Sequence, residues 1–308
     1  MMFYQGKRVV FLRKLILWVF VLGTVLTLSR VPRQQIHQVS VVIGQWISQK
    51  EVLLLEKMSV NYPKTKPQVV VLPGDNSVRA SSLAQVIQIL RTQSLPQIEK
   101  TLSLSYVQPL SVYLFATRNG YLSGLERWGI QQTVADTMVT RTNGVANGSV
   151  VYIPLYANTS KGSLYNVLTH ELTHVIFNQN QIARSIPTWI NEGVAWMEGL
   201  QTQAHVAKPS EMMLVKRGEA QVLAAFGNRE GVALTSGENA MLRAPYDVEL
   251  EDYMAVSKLV HTFGWKDVVR FMKDSVSEGA NVSFRKVFAQ PISYFINEFQ
   301  KSLHRSKM

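Results

Sequence analysis

Two histidines four residues apart, His170 and His174, lie in the run His170-Glu171-Leu172-Thr173-His174, and twelve residues later begins Ile186-Pro187-Thr188-Trp189-Ile190-Asn191-Glu192-Gly193. On an α-helix a spacing of four is about 400° of rotation and about 6 Å of rise, so both imidazoles leave one face on successive turns. That is chelating geometry. Neutral imidazole is a good metal ligand, and a catalytic zinc site holds three protein ligands with a fourth position open to water. Glu192 is the candidate third ligand, so its segment must be folded against the histidine-bearing face. Two imidazoles and a carboxylate suit Zn2+ best. Glu171, next to His170, is placed to take a proton from water as the water attacks a carbonyl.

The setting favours this over a helix that merely carries two surface histidines and a salt-bridging glutamate. Leu164, Val167, Leu168, Leu172, Val175 and Ile176 recur at helical spacing around the motif, and Ser163 is positioned to cap the helix. For Glu192 the plainer alternative is a first-turn carboxylate favoured by the helix dipole.

The runs "LTHELTHVIF" and "IPTWINEGVAWMEG" resemble the gluzincin clan of metallopeptidases, in particular the compact bacterial families called peptidase MA-like. The resemblance covers roughly Gln68 to the C-terminus and is strongest from Val150 to Gly199. It implies that His170, His174 and Glu192 bind zinc, that Glu171 is the catalytic base, and that the substrate is a peptide or protein. A Tyr253 to Gly264 helix ending "HTFGW" and the closing "SFRKVFAQPISYFINEF" also look like the family. Many relatives carry an acidic residue one turn after the third ligand to orient a histidine, whereas this chain has Trp196; Glu198 or a backbone carbonyl is expected to take that part. Four residues are candidates to stabilise an oxyanion, Tyr246, Tyr253, His205 and His261, and the resemblance favours Tyr253 as a second catalytic residue.

Composition divides the chain. Lys7, Arg8, Arg13, Lys14, Arg30 and Arg33 place six of the eleven net positive charges within the first thirty-five residues, which contain no acid. Leu15 to Leu28 is an unbroken apolar or small-residue run behind four of those charges, the pattern of a secretory signal or signal anchor. No small-x-small cleavage site follows, which favours an uncleaved single-pass anchor with the remainder facing outward; secretion after cleavage is the alternative. The modest charge excess elsewhere suits an anionic membrane or wall polymer, and without a basic helix interleaved with aromatics there is no case for nucleic acid. There is no cysteine, which excludes disulfides, thiolate metal sites and cysteine nucleophiles. Serine chemistry lacks a Gly-x-Ser-x-Gly elbow.

Three segments are expected: residues 1–35 as anchor or signal peptide, 36–67 as a helical connector with a Val39 to Val60 helix, and 68–308 as a metallopeptidase domain. The fold class is α+β, a small mixed or antiparallel sheet with the metal-site helix, followed by a mostly helical C-terminal part. Strands are predicted at Gln68 to Leu72 and Ser111 to Ala116, with a helix between them from Asn76 to Leu104, broken or kinked at Pro96. A short helix is predicted at Tyr121 to Trp128. A hairpin is expected to pair Thr137 to Thr142 with Ser149 to Tyr156, turning at Asn143-Gly144 and Asn147-Gly148. In the clan resembled, an edge strand ahead of the zinc helix binds extended substrate, which implies Val145 to Val151 here. Beyond Glu192, helices are predicted at Pro187 to Leu200, Ser210 to Phe226, Val248 to Phe263, Trp265 to Ser275, and Val282 to Ser302 broken at Pro291. Gly227 to Tyr246 is expected as a loop serving as a substrate-side lid.

The function expected is a membrane-tethered, extracytoplasmic zinc metallopeptidase. The alternatives are a catalytically silent zinc-binding envelope scaffold and a zinc amidohydrolase of cell-wall peptides.

Overall fold

A computed structural model describes residues 68–236 and 244–305, all within a unit spanning Tyr62–Met308. The anchor, the connector helix and the middle of the expected lid lie outside the described residues. Among those described, no helix is long and apolar enough to cross a membrane.

The architecture is α+β. A four-stranded mixed sheet is formed by β1 (Val69–Pro73), β2 (Leu110–Phe115), β3 (Val145–Asn147) and β4 (Val150–Pro154), in the order β1-β2-β4-β3. β1 and β4 both run parallel to β2, with Val71 opposite Val112 and Val112 opposite Val151. β3 pairs antiparallel with β4, Val145 opposite Tyr152, after a turn at Gly148, and occupies the sheet edge. Alternation along the strands assigns the two faces. Val112, Leu114, Val151 and Ile153 are buried on one face, toward α1 (Ala80–Ile89) and the metal-site helix. Phe115 and Tyr152 point to the other, where they meet Tyr121 and Leu125 of α3 (Arg118–Arg127) and Ala135 of α4 (Gln132–Arg141).

At Pro96 the expected helical stretch is not regular: the chain widens into a π-helical turn at Leu90–Ser94, and Pro96 falls in the first turn of α2 (Leu95–Leu102). Two local expectations are corrected. Thr137 to Thr142 is not a strand. Residues 137–141 belong to α4, with Thr142 its C-cap, because Ala135 and Met138, three residues apart, pack against the Phe115–Tyr121 cluster, and that tertiary packing outweighs the β-branched composition. The cap of the metal-site helix α5 (Lys161–Gln179) is Ser160, whose hydroxyl accepts the Ser163 N–H at 2.9 Å.

The C-terminal half is helical: α6 (Thr188–Ala204), α7 (Pro209–Gly227), α8 (Val248–Phe263), α9 (Trp265–Glu278), α10 (Ala280–Phe288) and α11 (Ile292–Arg305). α6 is packed between α5 and α8. Buried Trp189, at its start, stacks on Phe295 of α11 at 5.7 Å, which anchors the turn that carries Glu192. On the α8 side, a Cβ at Gly193 would lie 2.3 Å from the Asp252 carbonyl oxygen, so the absence of a side chain there sets how closely the two helices approach.

Candidate metal centre

The middle of α5 is buried nearly all round: Leu168, Leu172, Val175 and Ile176 fill the core, and Thr169 and Thr173 are fully enclosed. Thr169 is held by the Ser94 hydroxyl at 2.8 Å and by Thr202 of α6 at 2.9 Å, so the π-helical turn, α5 and α6 share one polar seam. That seam ties together the two helices that carry the histidines and Glu192.

The three expected ligands converge. The Nε2 atoms of His170 and His174 are 3.0 Å apart, and Glu192 Oε2 lies 3.6 Å from the first and 3.2 Å from the second. All the ligand atoms fall within 4.8 Å of one another, and together the residues form a group able to hold a metal ion. Side-chain exposures of 10, 13 and 20% leave the group mostly enclosed but still in contact with solvent. His174 is oriented from behind: its Nδ1 lies 3.1 Å from the side-chain oxygen of Asn191.

Charge in the group is mutually supporting. Burial works against a charged His174, but the Glu192 carboxylate prevails and raises it to about 9. Burial likewise opposes ionisation of Glu192, yet the two imidazoles hold its carboxyl well below the usual range. Glu171 is the opposite case: burial pushes it up to about 7, despite the nearby histidines. Its carboxylate rests against backbone, since a Cβ on Gly144 would stand 2.8 Å from both Glu171 Cγ and Oε1. Behind Glu192, burial pushes Asp252 of α8 up to about 9, with the carboxylates of Glu251 and Glu192 adding to the rise.

The residues expected to assist the ligands are arranged differently. Glu198 is fully buried and accepts from Thr101 of α2 at 2.8 Å; it does not meet a histidine, and Asn191 takes that place. Trp196 sets its ring edge-on to His170, centroids 6.1 Å apart, and donates its indole N–H to Glu249 of α8 at 2.7 Å. An acidic residue therefore does reach this side of the site, from another helix. Tyr246 accepts the Val232 N–H at 2.8 Å and donates to Glu251 at 2.6 Å, tying the chain after α7 to α8. Burial holds the Tyr253 hydroxyl above its ordinary range, and the Glu219 carboxylate of α7 adds to the rise. Neither of these Tyr246 partners belongs to the metal group. His205 is exposed at the C-cap of α6, and His261 is exposed in the last turn of α8.

No family model matches the chain, and no curated protein matches it. The chemistry is therefore argued from the geometry: three convergent donors, with a buried carboxylate of near-neutral pKa one residue from the first of them.

Asn191, Gly144 and Glu249 are the site residues that sequence reasoning missed. Asn191 had a signal, being adjacent to Glu192. Gly144 was read only as a turn, and nothing in the sequence connects Glu249 to the histidines.

Proposed function

We propose that the chain is a zinc-dependent hydrolase of peptide bonds, with His170, His174 and Glu192 as metal ligands and Glu171 as general base. The observation that carries the reading is the triangle of ligand atoms. Bonds of 2.0–2.1 Å in tetrahedral array place neighbouring donors about 3.3 Å apart, and the three separations of 3.0, 3.2 and 3.6 Å bracket that value. When bound, zinc supplies Lewis-acid charge that acidifies water and polarises a carbonyl oxygen.

The protein's own part follows from its side chains. Asn191 accepts from His174 Nδ1, which leaves Nε2 as the nitrogen that would hold the metal after losing its own proton. Glu171, with a pKa near 7, is matched both to accept a proton from water at neutral pH and to return it to a leaving amine. The edge position of β3 supports a peptide as substrate, because an extended chain can add to an open sheet edge. The reading includes Leu15 to Leu28 as a membrane tether with the catalytic domain on the outer side, a part that rests on sequence pattern alone.

The test is metal content and casein or peptide hydrolysis by the full chain, comparing wild type with Glu171→Gln and Glu192→Ala. The expected result is about one zinc per chain in wild type and in Glu171→Gln, with turnover reduced roughly 10²- to 10⁴-fold in that variant, and zinc lost in Glu192→Ala. A wild type that binds no metal overturns the reading. Zinc without turnover on protein or wall peptides leaves the metal site and removes the hydrolase.

A further inference from the structure

The corner between α4 and β3, residues 141–145, is held more firmly than its connecting role requires. Thr142 caps α4, its N–H and its hydroxyl both directed to the Met138 carbonyl at 2.9 and 3.0 Å, and its hydroxyl also meets the buried Tyr121 hydroxyl at 3.1 Å. Tyr156 donates to the Val139 carbonyl at 3.0 Å. Asn158, on the loop between β4 and α5, donates through one amide nitrogen to two carbonyls: Asn143 at 2.7 Å and Pro154 at 3.0 Å. Asn158 is only 6% exposed, and its Oδ1 has no hydrogen-bond partner. A buried amide that leaves its oxygen unsatisfied while spending both N–H groups on backbone is a costly arrangement for a surface corner.

The corner carries Gly144 onto Glu171. A Cβ there would lie 2.8 Å from Glu171 Cγ, Glu171 Oε1 and Val167 Cγ2, so a side chain at 144 would have to push the Glu171 or Val167 side chain aside. β3 also packs on α5 directly after this contact. We propose that Asn158 is a positioning residue for the base: by holding the Asn143 carbonyl it seats the Gly144 backbone against Glu171 and confines that carboxylate to the side facing the metal group. The assignment rests on the hydrolase reading given above. It is a claim about geometry, and displacements of about 1 Å in a reacting group cost on the order of 10² in rate.

The test uses the full chain loaded with zinc and three variants. Asn158→Asp keeps the shape and presents a carboxylate to the two carbonyls, Asn158→Ala removes the clamp, and Gly144→Ala leaves the clamp but fills the contact. Bound zinc, kcat and KM on casein-derived peptides, and amide hydrogen exchange are measured together. In both Asn158 variants the expected result is wild-type zinc content, exchange across residues 142–147 faster by about tenfold with α5 and α6 unchanged, and kcat lower by about 10- to 100-fold with KM within about twofold. Gly144→Ala is expected to lower kcat as much while exchange at the corner stays as in wild type. Wild-type kcat in a folded, zinc-loaded Asn158→Asp or Gly144→Ala protein overturns the assignment, as does exchange that quickens uniformly along the chain. If Asn158→Ala does not fold, the other two variants decide. Turnover that none of the substitutions alters removes this assignment alone, whereas a wild type without turnover removes the hydrolase reading and the assignment with it.

Discussion

His174 Nδ1 and Asn191 Oδ1 are 3.1 Å apart, so the residue next to the third candidate ligand orients the second. An amide oxygen only accepts, so Nδ1 carries a proton and Nε2, which faces Glu192, is the nitrogen that can give up its proton to a metal. Ligand and orienting partner thus arrive on one turn of α6. Asn191→Ala should lower zinc affinity by about 10- to 100-fold, while Asn191→Asp, which keeps the acceptor, should stay near or above wild type. Competition with a chromogenic chelator reads both; an alanine variant with unchanged affinity would show that the contact does not orient the ligand.

Gly193 predicts a packing effect next to the site. A methyl group there meets the Asp252 carbonyl oxygen at 2.3 Å and Val256 Cγ2 at 2.5 Å. Because the first of these is backbone, α6 and α8 must separate. Gly193→Ala should destabilise the metal-free protein by about 1–3 kcal/mol and weaken zinc binding through the displaced Glu192, measured by urea unfolding and metal titration. Stability equal to wild type would mean that the helices adjust without strain.

Glu198 predicts a pH dependence. Burial raises its pKa to about 7 from an ordinary 4.5, against the lowering effect of Thr101 and Gln97. Between those values the folded state binds more protons than the unfolded state, so stability is fully present below pH 4.5 and falls as pH rises to about 7. The loss is on the order of 3 kcal/mol for a shift of this size. Glu198→Gln should match wild type near pH 4 and exceed it by roughly that amount at pH 8. Urea midpoints at the two pH values decide, and parallel pH profiles would count against a protonated Glu198.

Tyr253 is the residue that the resemblance favours at the oxyanion. Tyr253→Phe should then lower kcat by about 10²- to 10³-fold, the loss that follows removal of an oxyanion donor, with zinc content intact. A variant whose kcat stays within about threefold of wild type would remove Tyr253 from the catalytic group.

What could be read from the sequence was what local spacing controls. The four-residue interval of His170 and His174 needs only helical rise and rotation to aim both imidazoles one way, and α8 runs over the predicted span, Val248–Phe263, with Gly264 at its C-cap. The α+β class was legible because apolar β-branched runs and helical periodicities alternate with turn residues. Where local and tertiary preferences competed, the reading failed. The threonines and valine of 137–142 favour a strand in isolation, but the Phe115 cluster could be closed by Ala135 and Met138 only from a helix.

The sequence by itself therefore determined the candidate metal-binding face of one helix and the identity of the carboxylate next to it. Only the tertiary structure decided that Glu192 reaches both histidines, that Asn191 orients His174, that Gly144 bears on Glu171 and that Glu249 arrives through Trp196. Each of these joins segments whose spacing is set by core packing, and packing depends on the shapes of side chains far apart in the chain, which no local periodicity encodes.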